Sequence, residues 1–198
     1  MIPEPQRTYL LELLTTLGET AGGFVLAGAQ AMKFVLPRAR ATRDFDFVLD
    51  ASGCLPDGAA ASVNLRVTRP HSLVMMKLMA MDDRYRNVRG SIHSEHDRNE
   101  ARIHASDIIA IVGAQSDLRA FRTTFDAQFE FHPDLGETVS GIVREYFGHD
   151  TAPGLLLYEE ALMAGASNNT GDPRTELASE LHRARRMLAS FIAPADLT

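Results

Sequence analysis

Two carboxylates two residues apart, Asp44 and Asp46, stand in a run that also holds Phe45, Phe47, Val48 and Leu49. The run reads as a β-strand, and side chains alternate faces along a strand. Asp44 and Asp46 therefore share one face, and Phe45, Phe47 and Leu49 share the other. Strands are ordinarily poor in aspartate, and two like charges on one face repel unless a cation sits between them. A hard divalent cation such as Mg²⁺, held by a few carboxylates together with substrate phosphates, meets that requirement. Two solvated aspartates on an exposed strand face would give the same pattern. Asp50 has the same parity, but at ~3.3 Å per residue it lies ~13 Å beyond Asp46, too far to share the ion.

Upstream, residues 24–36 read as a short apolar strand, a small-residue turn at Gly28 and Ala29, and a helix that stops before Pro37. Such a turn lets backbone N–H groups approach a phosphate closely, and a helix N-terminus favours negative charge. Gly28 is the residue that permits the approach; a tight strand-to-helix turn with no ligand is the alternative. Downstream, Lys77 is the only charge between Leu73 and Met81. Its ammonium must snorkel to the surface or find an anion, and a nucleotide phosphate suits a lysine point charge. Asp107 precedes the apolar run 108–112 at the start of a helix expected over about 106–113. There, N-terminal capping competes with a chemical role, and Ser106 can serve as the cap instead.

Together these stretches resemble the nucleotidyltransferase superfamily that includes DNA polymerase β. Within it they are most similar to the AbiEii-type nucleotidyltransferases, the toxin halves of abortive-infection toxin–antitoxin systems. The family pattern is a strand ending in Gly-Gly or Gly-Ser, a helix, and then Arg-x-(Ser/Thr)-x-Asp-hydrophobic-Asp. A helix with Lys-Leu-x-Ala and a later helix with Asp before an apolar run complete it. This chain carries Gly28 and Ala29, then Arg40, Thr42, Asp44 and Asp46, then Lys77, Leu78 and Ala80, then Asp107, in that order. It departs in two places. Ala29 replaces the second Gly or Ser, which removes a hydroxyl but keeps the amide, and 82–106 reads as a long polar insertion or mobile loop.

The resemblance implies a metal-dependent transfer of a nucleoside monophosphate from an NTP to an acceptor hydroxyl. It assigns catalysis to Asp44, Asp46, Lys77 and Asp107, nucleotide binding to Gly28, Ala29, Arg40, Thr42 and Lys77, and Mg²⁺ to Asp44 and Asp46. It implies an RNA acceptor such as a tRNA 3′ end, with a protein acceptor second, and a cognate antitoxin as partner. The implied fold class is α+β: a polymerase-β-like core, a small mixed sheet flanked by helices, with a helical C-terminal part. The expected division is a core over 1–115 and a helical region over 116–198. The rival is a non-catalytic module, a degenerate nucleotidyltransferase fold that binds a nucleotide or a protein. Ala29 and the polar insertion favour it, and retention of Asp44, Asp46 and Lys77 argues against it.

Composition fits such an enzyme. Of 198 residues 45% are hydrophobic, enough for a sizeable core. The single cysteine, Cys54, excludes an intrachain disulfide and suits a reducing compartment. Residues 5–20 read as an amphipathic helix interrupted by Glu12 rather than a signal peptide, and no stretch approaches the roughly 20 apolar residues of a membrane span. A cytoplasmic location follows as an expectation. A net charge of −6 argues against indiscriminate duplex binding. A local basic cleft remains open, because Arg38, Arg40, Arg43, Arg66, Arg69, Arg84, Arg86, Arg89, Arg98 and Arg102 cluster around the proposed motifs. Strands are expected at 24–27, 44–49 and 63–67, and helices at 73–81, 117–124, 137–147, 154–166 and 174–192. The alternation of Phe125, Ala127, Phe129 and Phe131 suggests one further strand.

Overall fold

The computed structural model describes residues 6–18, 23–36, 46–49, 66–89, 94–166 and 173–192. The chain divides into two compact units, Met1–Leu73 and Val74–Thr198. The core expected over 1–115 thus takes in the first unit and the opening helices of the second.

In the first unit, α1 (Gln6–Leu17) buries Leu10 and Leu14, one helical turn apart. A three-stranded ribbon follows, in the order β2–β1–β3. Its centre is β1 (Phe24–Ala27), antiparallel to β2 (Asp46–Leu49) and parallel to β3 (Arg66–Val67). Leu26 and Ala27 are wholly buried, as a central strand of branched and small residues requires. Beyond β3, the Thr68 N–H and hydroxyl both donate to the Leu26 carbonyl, at 2.9 and 2.8 Å. Helix α2 (Gly28–Val35) leaves β1 with no intervening loop and buries Ala29, Gln30, Ala31 and Met32. It ends at Leu36, whose backbone is extended (φ −118°, ψ 125°). A residue that precedes proline is pushed out of the helical region in this way.

The second unit is built from helices. Helix α3 spans Pro70–Arg89, beginning just before the division, and α4 spans Glu95–Gly113. These are followed by α5 (Leu118–Ala127), α6 (Pro133–Phe147), α7 (Pro153–Ala166) and α8 (Pro173–Ile192). Helix α4 packs on α7 and α8, and α8 also packs on α5, α6 and α7. The inner stripe of α4 is Ala101, Ala105, Ile108 and Val112, all buried at helical spacing. The starts are marked in the sequence: the Ser94 side chain accepts from the Asp97 N–H, the Asp117 side chain accepts from the Ala120 N–H, and Pro133 opens α6.

Three expectations are corrected. The α+β class does not hold, because the described residues are predominantly helical and their strands run to only four, four and two residues. The polar stretch 82–106 is largely the end of α3 and the first half of α4 rather than a loop. Its charges pair within and between those helices, as Arg86 does with Asp82 and Arg84 with Asp97, and so they carry no apolar period to betray them. The suggested strand at 125–131 is the end of α5 and a turn. Phe121 and Phe125 are spaced for a helix face and both pack on the Phe191 ring, at 5.8 and 5.4 Å, and this contact outweighs the period-two pattern.

Candidate active site

The strand register decides what meets the Gly28 turn. Ala27, the last residue of β1, pairs with Asp46, the first of β2. Residues paired across antiparallel strands have Cα atoms about 4.5–5.5 Å apart. The start of β2 is therefore one residue from Gly28 along β1. Gly28 has φ +60°, a conformation that L side chains reach only at a cost. Ala27, extended at φ −122°, offers no side-chain cap to α2, so the first amides of that helix are left to other acceptors. Ala29 is buried within α2. Arg40, Thr42 and Asp44 lie outside the described residues, as does the side chain of Asp46. Among the described residues no three His, Cys, Asp or Glu side chains gather into a group able to hold a metal ion. We expect Gly28→Ala to cost about 1–2 kcal/mol, because alanine must adopt a left-handed conformation there. Urea unfolding of the variant measures that cost.

The other two motif residues meet in the second unit. Lys77 Nζ lies 2.8 Å from Asp107 Oδ2, and both residues are only 6% exposed. Lys77 therefore does not snorkel; it finds an anion within the protein. Its neighbours Val74, Leu78 and Met81 are buried, as are Ile108 and Ile111 beside Asp107, so the pair is enclosed by apolar surface. Asp107 lies well inside α4 rather than at its start, which removes capping as its role; Ser94 caps that helix. A buried carboxylate in mid-helix needs a cation, and Lys77 supplies it.

A second polar group on α3 was not singled out from the sequence. Asp82 accepts a hydrogen bond from the Tyr146 hydroxyl of α6 at 2.8 Å, and its other oxygen pairs with Arg86 Nε at 2.8 Å. The Tyr146 ring is buried and stands edge-on to Tyr85, with ring centroids 5.2 Å apart. The spacing of Asp82 and Arg86 was a usable signal; the long-range tyrosine was not. Burial, and then the Asp82 hydrogen bond, push the Tyr146 hydroxyl well above its ordinary value. A folded-state value above the unfolded one gives stability that is full below about pH 10 and is lost as pH rises beyond it. Tyr146→Phe should cost about 1–2 kcal/mol near neutrality and flatten the alkaline decline. Urea unfolding of both proteins across pH 7 to about 10.5 checks this.

The arginines expected around a cleft are in part engaged. Arg98 and Arg102 both bind Glu160 of α7, at 2.7 and 2.8 Å, and Arg84 and Arg86 hold Asp97 and Asp82. The Arg98 hydrogen bond lowers the Glu160 carboxyl below the usual glutamate range, with Arg102 adding to it. The stability from this exposed cluster is present above that range and fades as pH falls through it, and is worth less than about 1 kcal/mol.

No family model, curated protein or solved structure matches this chain. The likeness to the nucleotidyltransferases therefore rests on the sequence motifs alone. No described helix is long and apolar enough to cross a membrane.

Proposed function

We propose that the chain is a metal-dependent nucleotidyltransferase of the AbiEii-like kind, carried on a mainly helical protein. The observation that carries this reading is the pairing of Asp46 with Ala27 next to the left-handed Gly28 at the start of α2. That arrangement sets the carboxylate-bearing strand beside a turn whose amides suit a phosphate. The donor type fits the cofactor, since two carboxylates two residues apart in sequence offer hard oxygen ligands. Mg²⁺ held by Asp44 and Asp46 would neutralise charge on the α-phosphate and the departing pyrophosphate and make the acceptor hydroxyl more acidic.

The remaining work is positioning. The Gly28 and Ala29 amides orient the β- and γ-phosphates, and Arg40 and Thr42 flank the same strand in sequence. Such chemistry needs little covalent participation from the protein, so placement and electrostatics dominate. Within the second unit, Asp107 holds the Lys77 ammonium in place. The acceptor is RNA, a tRNA 3′ end first and a protein second. A cytoplasmic toxin with a separate antitoxin partner belongs to the same reading.

One observation favours the rival, a binding module without catalysis. Lys77 and Asp107 neutralise each other within an apolar shell, as a purely structural ion pair would. Thermal melting with each NTP, with and without Mg²⁺, separates the two. The enzyme reading expects at least one NTP to raise the melting temperature in a Mg²⁺-dependent manner, and a binding module expects a shift indifferent to Mg²⁺ or none. A Mg²⁺-independent shift with all four NTPs would overturn the proposal.

A further inference from the structure

A depression of about 300 Å³ opens in the second unit, where the turn between α6 and α7 meets the last turns of α8. Its apolar lining is Phe147, Leu155 and Ile192, and its polar lining is His149, Asp150 and Arg185. Arg185 is unevenly satisfied. One Nη donates to the Asp150 main-chain carbonyl at 3.3 Å. Its Nε is shielded from solvent and has no hydrogen-bond acceptor among the described residues. The nearest carboxylate oxygen, Asp150 Oδ1, lies 3.9 Å away on a side chain that is 83% exposed. Asp150 thus pairs with the guanidinium only at long range, from a largely solvated side chain. At the rim, the Nδ1 of His149 faces the Thr151 hydroxyl at 3.3 Å, and His149 is exposed.

We infer that this depression is a binding site for a small monocarboxylate with an apolar body. The carboxylate takes the place of the loosely held Asp150 side chain beside the part-exposed Arg185 guanidinium, whose planar fork matches it. The apolar body lies on Phe147, Leu155 and Ile192. A monoanion is favoured over a phosphate dianion because the lining offers one guanidinium offset by the Asp150 carboxylate, with no second fixed cation. The volume is at the small end for ligand pockets, which limits the occupant to a compact acid. The site is independent of the nucleotidyltransferase reading and uses none of its residues.

The test uses the full chain with hexanoate and benzoate as probes and inorganic phosphate as the control, read by saturation-transfer NMR and titration. Hexanoate or benzoate should show saturation transfer, and phosphate should not displace it. Arg185→Gln keeps the stem and removes the charge; it should weaken binding about tenfold or more, the effect of losing a charge-assisted contact. Asp150→Ala should tighten binding severalfold by removing the competing carboxylate, and being at an exposed position it leaves folding intact. No transfer from either acid at millimolar concentration, equal binding to Arg185→Gln, weaker binding to Asp150→Ala, or displacement by phosphate would each overturn the inference.

Discussion

Lys77→Met should destabilise the protein by about 3–5 kcal/mol, because it removes the cation 2.8 Å from a buried carboxylate. Asp107→Leu should do comparable damage by stranding the ammonium. The double variant Lys77→Met/Asp107→Leu should recover most of that loss, since replacing both partners of a buried pair with apolar groups is often neutral or stabilising. Urea unfolding of the three variants gives the coupling directly. Additive losses in the double variant would show that each residue's main partner lies elsewhere. Transfer activity adds a second reading of the same set. A stable double variant that no longer transfers nucleotide makes the pair functional, and one that stays fully active makes it structural.

Asp44→Ala and Asp46→Ala should each lower nucleotide transfer by more than about 10²-fold while leaving the protein folded, because the lost group would hold the metal and not the core. Asp46 contributes its backbone to the β1–β2 pairing, which alanine preserves. Without Mg²⁺ the variants should melt at or above the wild-type temperature, since removing one of two neighbouring like charges relieves repulsion. With Mg²⁺ and NTP the wild type alone should gain stability. Melting curves in the four conditions, beside turnover, check both halves. Undiminished transfer by both variants would remove the aspartates from the mechanism.

The parts of this molecule legible in its sequence are those fixed by local chemistry. Phe24 to Ala27 is an apolar, β-forming run, and the strand lies there. Gly28 was marked by its lack of a Cβ, and the backbone uses that freedom. Pro37 announced the end of α2, and Pro133 and Pro173 stand at the starts of α6 and α8. Legibility failed where the determining partner was distant in the chain. Lys77 could be read as a charge in need of an anion, but nothing nearby named Asp107. For Asp107 the sequence leaves a cap and a chemical role in competition because an apolar run follows it, whereas the helix starts at Glu95, capped by Ser94, and its first half is charged and non-periodic. The α+β class that the resemblance implies gives way to a mainly helical chain. The salt-bridged ends of α3 and α4 carry polar residues where an amphipathic period would have revealed helices. For the candidate site, the Gly28 turn and the start of β2 came together in the structure, and Lys77 met Asp107; each pair lies in its own compact unit.

The central claim is nucleotide transfer, and the most direct measurement offers each α-labelled NTP in turn to the wild-type protein with total RNA and with protein acceptor, in Mg²⁺ and in EDTA. The account predicts label entering an acceptor from at least one NTP in Mg²⁺, RNA before protein, and none in EDTA. No label from any of the four NTPs into either acceptor, or labelling unchanged by EDTA, would contradict it.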